Sequence, residues 1–197
     1  KLGEALLDNN NSILGEGVTI MAASQPWQTS REDRNIQHGV FTDLLIQGLN
    51  GGAADIGGNI TPASLYSFVD QSLGAWQQRP VFKTNVSQLL PLRTIGARVP
   101  KATLRKISQY FTNPSDELQL DSSYEFTNDP SVEHKVIEPF ANANHVAIFK
   151  DLQLFASVGL VEPVGEEHMY FAAMRAKTCK LTALGLHYWR LSKDRRF

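Results

Sequence analysis

GVTIMAASQPWQTSREDRNIQHGVFTDLLIQGLN, Gly17 to Asn50, decides the fold class. Val18, Thr19, Ile20, Met21 and Ala22 form a short apolar, partly β-branched run bounded by Gly17 and Ser24. Such a run predicts a strand inside an α/β sheet. Polarity then changes at once: Gln25 to Gln37 carries a proline, a tryptophan and a group of charges, the composition of a surface loop where α/β folds place their sites. From Val40 the apolar residues Val40, Phe41, Leu44, Leu45 and Leu49 recur with helical spacing, and Asn50-Gly51 stops the pattern.

The wording of this stretch carries more than its periodicity. The strand end Ala22 to Ser24 is followed by Gln28-Thr29-Ser30 in the loop, with an acidic residue soon after, and by His38 to Thr42 (HGVFT) at the helix start. Downstream come Gly51-Gly52-Ala53-Ala54-Asp55, Asn59-Ile60-Thr61, Leu65-Tyr66 and Gln78-Arg79-Pro80-Val81-Phe82. Across residues 15 to 95 these pieces resemble, in order and approximate spacing, the small-subunit half of caspase-like cysteine peptidases of the metacaspase and orthocaspase type. The resemblance implies half of a caspase-like α/β sandwich over residues 1–99.

It also implies where the chemistry lies. A cysteine peptidase needs a thiolate and a nearby imidazole to move the thiol proton. In this family both belong to the large subunit, so the resemblance implies no catalytic residue in this chain and a large-subunit partner carrying the Cys/His dyad. His38-Gly39 looks like a dyad motif, but its setting directly before VFTDLL matches the small subunit's own helix start, a structural position. Cys179, the single thiol, lies in a different expected domain and reads as a buried structural residue.

What the small subunit supplies, by resemblance, is a wall of the cleft for a peptide or protein substrate, running beside it in the manner of an added β-strand. Here that wall is Ser24, Gln25, Pro26, Trp27, Gln28, Thr29, Ser30 and Arg31. Family members that cleave after basic residues set acidic side chains just before QTS, and this chain has Pro26 and Trp27 instead. Either an acidic wall for a basic substrate residue then comes from the large subunit, with Glu32 and Asp33 as further partners, or the specificity differs. Trp27 reads equally as an apolar subsite or as packing of the loop.

Asp55-Ile56-Gly57-Gly58-Asn59-Ile60-Thr61 looks like a worn calcium loop. Counted from Asp55, position five is Asn59 and position twelve is Tyr66, which leaves one carboxylate where calcium needs several oxygens. We read it as a Gly-rich turn leading to a helix capped by Thr61 with Pro62 first, carrying Leu65, Phe68, Val69, Leu73 and Trp76 inward. Gln78 to Phe82 then returns as the last strand. No metal and no cofactor is called for.

A boundary is expected at Val99-Pro100, followed by a helix and linker over 100–134. Lys101 to Tyr110 reads as helix and Thr112 to Pro130 as a long loop. Val146, Phe149, Leu152 and Phe155 place a helix within Ile137 to Phe155, ended by Gly159. Leu160 to Val164, a Gly165-Glu166-Glu167 turn and Met169 to Leu181 read as a two-stranded wing before a last helix from Thr182. Residues 135–197 thus resemble a winged-helix domain, an α+β unit that docks a regulatory protein or braces the peptidase.

Charge argues against tight duplex binding. Residues 175–197 hold seven basic side chains against Asp194 alone, whereas 116–167 is strongly acidic, and the helix that would enter a groove pairs Lys150 with Asp151. The alternative to the peptidase reading is a non-catalytic pseudo-enzyme, or a winged-helix regulator binding protein or DNA.

Composition is compatible with either. The chain has 197 residues, 42% hydrophobic, with a net charge of −1, enough for a sizeable core. One cysteine precludes an intrachain disulfide and favours a reducing, cytoplasmic setting. No apolar run reaches about 18 residues and no basic-then-apolar leader is seen, so neither a membrane span nor a signal is expected. Lys1 at the start suits a processed large–small junction. Prokaryotic proteases of this type often belong to defence or programmed-death systems, and the resemblance implies such a role.

Overall fold

The computed structural model describes residues 17–24, 39–74 and 79–196 as a mixed α/β protein. The chain divides into two compact units, Lys1–Ala97 and Arg98–Phe197. Among the described residues no helix is long and apolar enough to cross a membrane.

In the first unit, β1 (Val18–Ala22) pairs antiparallel with β3 (Val81–Asn85), from Val18 opposite Asn85 to Ala22 opposite Val81. Among the described residues this is a two-stranded ladder. The strand is half-buried, with Val18 exposed at its start, whereas the apolar run predicts the covered centre of a larger sheet. The physical reason is that an unbroken apolar run reports a tendency to be covered and cannot say which segment does the covering.

Helix α1 (Val40–Gln47) gives way to a wider turn at Gly48–Gly52, where Gly51 adopts φ 130° and ends the helical path. A second small pair, β2 (Asn59–Ile60) with β4 (Arg93–Thr94), is extended by Leu92 N–H to the Ile60 carbonyl at 2.7 Å and Ile95 N–H to the Gly58 carbonyl at 2.8 Å. Between them runs α2 (Pro62–Leu73). Its start is a reciprocal capping box: Ser64 N–H donates to Thr61 Oγ1 at 3.1 Å, and Thr61 N–H donates to Ser64 Oγ at 3.0 Å. Leu65, Val69 and Leu73 are buried along one side, and Leu65 joins Ala53 and Ile60 in a core flanked by Met21, Leu45, Leu49 and Phe68. Tyr66 stacks on Phe82 with ring centroids 4.9 Å apart, fastening α2 to β3. Trp76 and Gln78 lie outside the described residues.

The second unit begins with two short helices, α3 (Lys101–Leu104) and α4 (Ile107–Tyr110), where the sequence suggests one. β5 (Glu117–Gln119) lies inside the expected loop, and the alternation of Glu117-Leu118-Gln119-Leu120 was its signal. A 3₁₀ turn follows at Ser122–Tyr124, then α5 (Ala143–Ser157), β6 (Val161–Val164), α6 (Met169–Met174), β7 (Thr178–Leu181) and α7 (Ala183–Lys193). The sheet order is β5-β7-β6, antiparallel throughout, with Leu118 opposite Cys179 and Pro163 opposite Cys179 from the other side. Phe111, Leu120, Leu152, Phe155 and Leu160 are fully buried, so residues 100–134 contribute to this unit's core as well as to its sheet.

One detail differs from the winged reading. The second wing strand was expected from Met169, but Met169 to Met174 is helical and the strand is confined to Thr178–Leu181. Met, Ala and Ala are good helix formers, and Met169, Ala172 and Ala173 bury with a spacing of three to four that a strand cannot provide. α5 starts at Ala143 because the Asn142 side chain caps it, accepting from Asn144 and His145 N–H. It ends in a Schellman turn at Gly159, φ 74°, with Leu160 N–H to the Phe155 carbonyl at 2.9 Å.

Candidate functional site

Of the expected substrate wall, only Ser24 is described. It stands two residues beyond the end of β1 and is half-buried. Gln25, Pro26, Trp27, Gln28, Thr29, Ser30 and Arg31 lie outside the described residues, as do Glu32, Asp33 and His38. Around Ser24, therefore, the strand β1 and its partner β3 are the positioned scaffold.

The other end of β1, roughly 20 Å away at strand rise, opens into a groove of about 580 Å³ lined by Gly17, Thr19, Pro62, Ser87, Leu90 and Leu92. Leu90 is 68% exposed and Leu92 57%, with Leu89 beside them, an apolar patch uncommon on a free surface. Its sequence signal was SQLLPL at Ser87–Leu92, an apolar cluster outside any periodic element.

The Asp55 turn is self-contained. Asp55 Oδ1 accepts from Asn59 N–H at 2.8 Å and Oδ2 from Asn59 Nδ2 at 3.4 Å, so the carboxylate closes its own loop. Among the described residues no three His, Cys, Asp or Glu side chains gather as a metal site would require.

In the second unit Cys179 is fully buried, and burial, with Glu117 nearby, pushes its thiol up to about 12. A nucleophilic thiol needs the opposite setting, so Cys179 is a core residue. Asp151, the acidic group on α5, is committed internally: Lys106 Nζ and the Tyr110 hydroxyl both reach Oδ2, at 2.8 and 2.6 Å. Burial and this carboxylate hold the Tyr110 phenol well above its usual range. The basic C-terminal stretch is partly neutralised by its own neighbours, through Arg175–Glu166 at 2.8 Å, Lys180–Glu162 at 3.4 Å and Arg196–Asp194 at 3.8 Å.

The sequence reading overlooked a polar knot at the start of α5. Ser123 Oγ lies 2.5 Å from Asp121 Oδ1 and 2.7 Å from His145 Nδ1, and Tyr124 stacks on the imidazole at 4.2 Å. Ser122 Oγ donates to the Lys135 carbonyl at 2.5 Å. The residue types are those of a hydrolytic triad, but the order is not. The serine sits between the carboxylate and the imidazole and is only 3% exposed, so it braces the 3₁₀ turn against α5 and cannot meet a substrate. The run Asp121-Ser122-Ser123, a side-chain cap before a turn, was the available signal.

Comparison with protein-family models, with curated proteins and with solved structures gives no match to this chain.

Proposed function

We propose that this chain is the small-subunit part of a caspase-like cysteine endopeptidase. It walls the peptide cleft with Ser24 to Arg31, while a separate large-subunit segment carries the Cys/His dyad. The observation that supports this reading best is the β1–β3 ladder: a strand whose end, Ala22, lies two residues before Ser24 and the QPWQTSR stretch, backed by a returning strand at Val81–Asn85 that is tied to α2 through Tyr66 and Phe82. In that arrangement the chain supplies orientation and backbone hydrogen bonds, and the partner supplies nucleophile and base. The exposed Leu89, Leu90 and Leu92 are apolar surface that a large subunit would cover. The proposed specificity is cleavage after Arg or Lys, with the acidic partner for that side chain on the large subunit, because Pro26 and Trp27 offer none.

For residues 135–197 we propose a winged-helix-like regulatory module that docks protein. The order β5-β7-β6 behind α5 supports it, and the internal commitment of Asp151 together with the ion pairs on the basic stretch weighs against duplex DNA.

The test is reconstitution with the segment encoded immediately upstream of Lys1. The two-part protein should hydrolyse a fluorogenic Arg or Lys peptide and lose that activity when the large-subunit Cys becomes Ala. Upstream sequence without a His-Gly motif and a later Cys, or equal activity of this chain alone, would defeat the proposal.

A further inference from the structure

The second unit has a pocket of about 490 Å³ lined by Arg105, Ser108, Gln109, Ser192, Lys193 and Arg195. Among the described residues no carboxylate lines it, and three cationic side chains contribute from two separate parts of the chain. The serines serve as its floor: Ser192 Oγ donates to the Arg105 carbonyl at 2.9 Å, so its contact with Ser108 Oγ at 2.8 Å is a bond donated by Ser108. Lys193 lies over the Trp189 ring, 5.3 Å from its centroid, and neither Lys193 nor Arg195 has a carboxylate within 4.0 Å among the described residues. The neighbouring acid, Asp194, is turned to Arg196.

Arg195 is the informative residue. α7 ends at Lys193 with Asp194 as its cap, and the next residue, Arg195, takes φ 54°. Arg195 N–H bonds the Ser192 carbonyl at 3.1 Å and Arg196 N–H the Leu191 carbonyl at 2.9 Å, a Schellman turn whose left-handed position favours glycine. Arg190 and Lys193 in the last turn already complement the negative end of the helix dipole. A cation beyond the helix end adds little to that, and a non-glycine residue there is strained, a pattern associated with functional sites.

We propose that this pocket binds a small, multiply charged phosphate compound of the nucleoside polyphosphate class. Arg195 supplies a planar fork that matches phosphate oxygens, Lys193 supplies a point charge, and the Gln109 amide can meet a polar group of the remainder. The volume lies in the range of small-molecule sites, and α5, the helix that would read a duplex, does not line it. All of its lining residues belong to the second unit, and the proposal stands or falls without the peptide-cleft reading.

Titration of the full chain with tripolyphosphate and with ATP, by calorimetry and thermal shift, tests this. Both ligands should bind and raise the melting midpoint, with affinity falling as salt rises. Arg195→Gly should weaken binding about tenfold while leaving the ligand-free melting midpoint equal or higher, because glycine suits the turn. A folding defect would instead lower the ligand-free midpoint along with the affinity. Lys193→Gln, which does not touch the turn, should weaken binding as well. Absence of any tripolyphosphate effect, or unchanged affinity in both variants, overturns the site. Duplex DNA binding lost in the same variants, with no response to tripolyphosphate, would also overturn it in favour of a nucleic-acid surface.

Discussion

Gly185 offers a sharp test of the packing in the second unit. It lies in the first turn of α7, where its N–H donates to Thr182 Oγ1 at 3.0 Å, and the helix there rests against the chain just before β6. A Cβ at this position would overlap the Leu160 carbonyl oxygen and stand 2.8 Å from its carbon and 3.3 Å from its Cα. These are backbone atoms, so rotamer change cannot relieve the overlap. The helix start has to move, and the bonds that hold it, Thr182 N–H to the Leu160 carbonyl at 3.1 Å and Thr182 Oγ1 to the Gly159 carbonyl at 2.6 Å, move with it. Overpacking of this kind costs about 1–3 kcal/mol, and each weakened hydrogen bond about 1 kcal/mol. Gly→Ala inside a helix returns about 1 kcal/mol. Gly185→Ala should therefore destabilise the unit by about 2–4 kcal/mol. The assay is urea unfolding followed by Trp189 emission in a Trp27→Phe, Trp76→Phe background, which isolates the second unit's transition. Ala183→Gly, at an exposed position of the same helix, is the control and should cost less than about 1 kcal/mol. Stability of Gly185→Ala equal to or above the parent would refute the close approach of α7 to Leu160.

Two further outcomes follow from the same kind of reasoning. Thr61→Ala removes half of the capping box on α2 and should cost the first unit about 1 kcal/mol, while Thr61→Ser should retain most of it; thermal melts of the two variants compare them directly. Cys179 should resist a thiol reagent until the chain unfolds, and it sets an alkaline limit. Below pH 9.0 the thiol is protonated in both states; between 9.0 and about 12 the unfolded chain releases the proton and the folded chain keeps it, so stability falls as pH rises through that window. Cys179→Ala should flatten this part of the stability–pH curve, and an unchanged slope would show that another group sets it.

Local signals were the legible ones. Thr61-Pro62 fixes the start of α2 and Gly159 the end of α5 because caps are written in adjacent residues. Val18–Ala22 reads as a strand, but its antiparallel partner stands 59 or more residues away, a choice made by packing and turn geometry that composition does not encode. Met169–Met174 misleads for a related reason: between two strand-like runs the eye joins them, and only helix propensity with a buried Met-Ala-Ala face separates them. The proposed substrate wall rests on wording alone, since Gln25–Arg31 lies outside the described residues. The basic pocket was not visible at all. Arg105 is one charge in the turn between α3 and α4, and nothing adjacent to it announces that Lys193 and Arg195 will line the same hollow.

The knot at Ser123 also settles where a proton resides. A hydroxyl has a single hydrogen to give, and with the carboxylate of Asp121 only accepting, that hydrogen goes to Oδ1. The imidazole must then be the donor in its contact with Ser123, which places a hydrogen on Nδ1 of His145. One tautomer of the neutral ring is thereby selected, and its Nε2 is left facing outward from the knot as an acceptor.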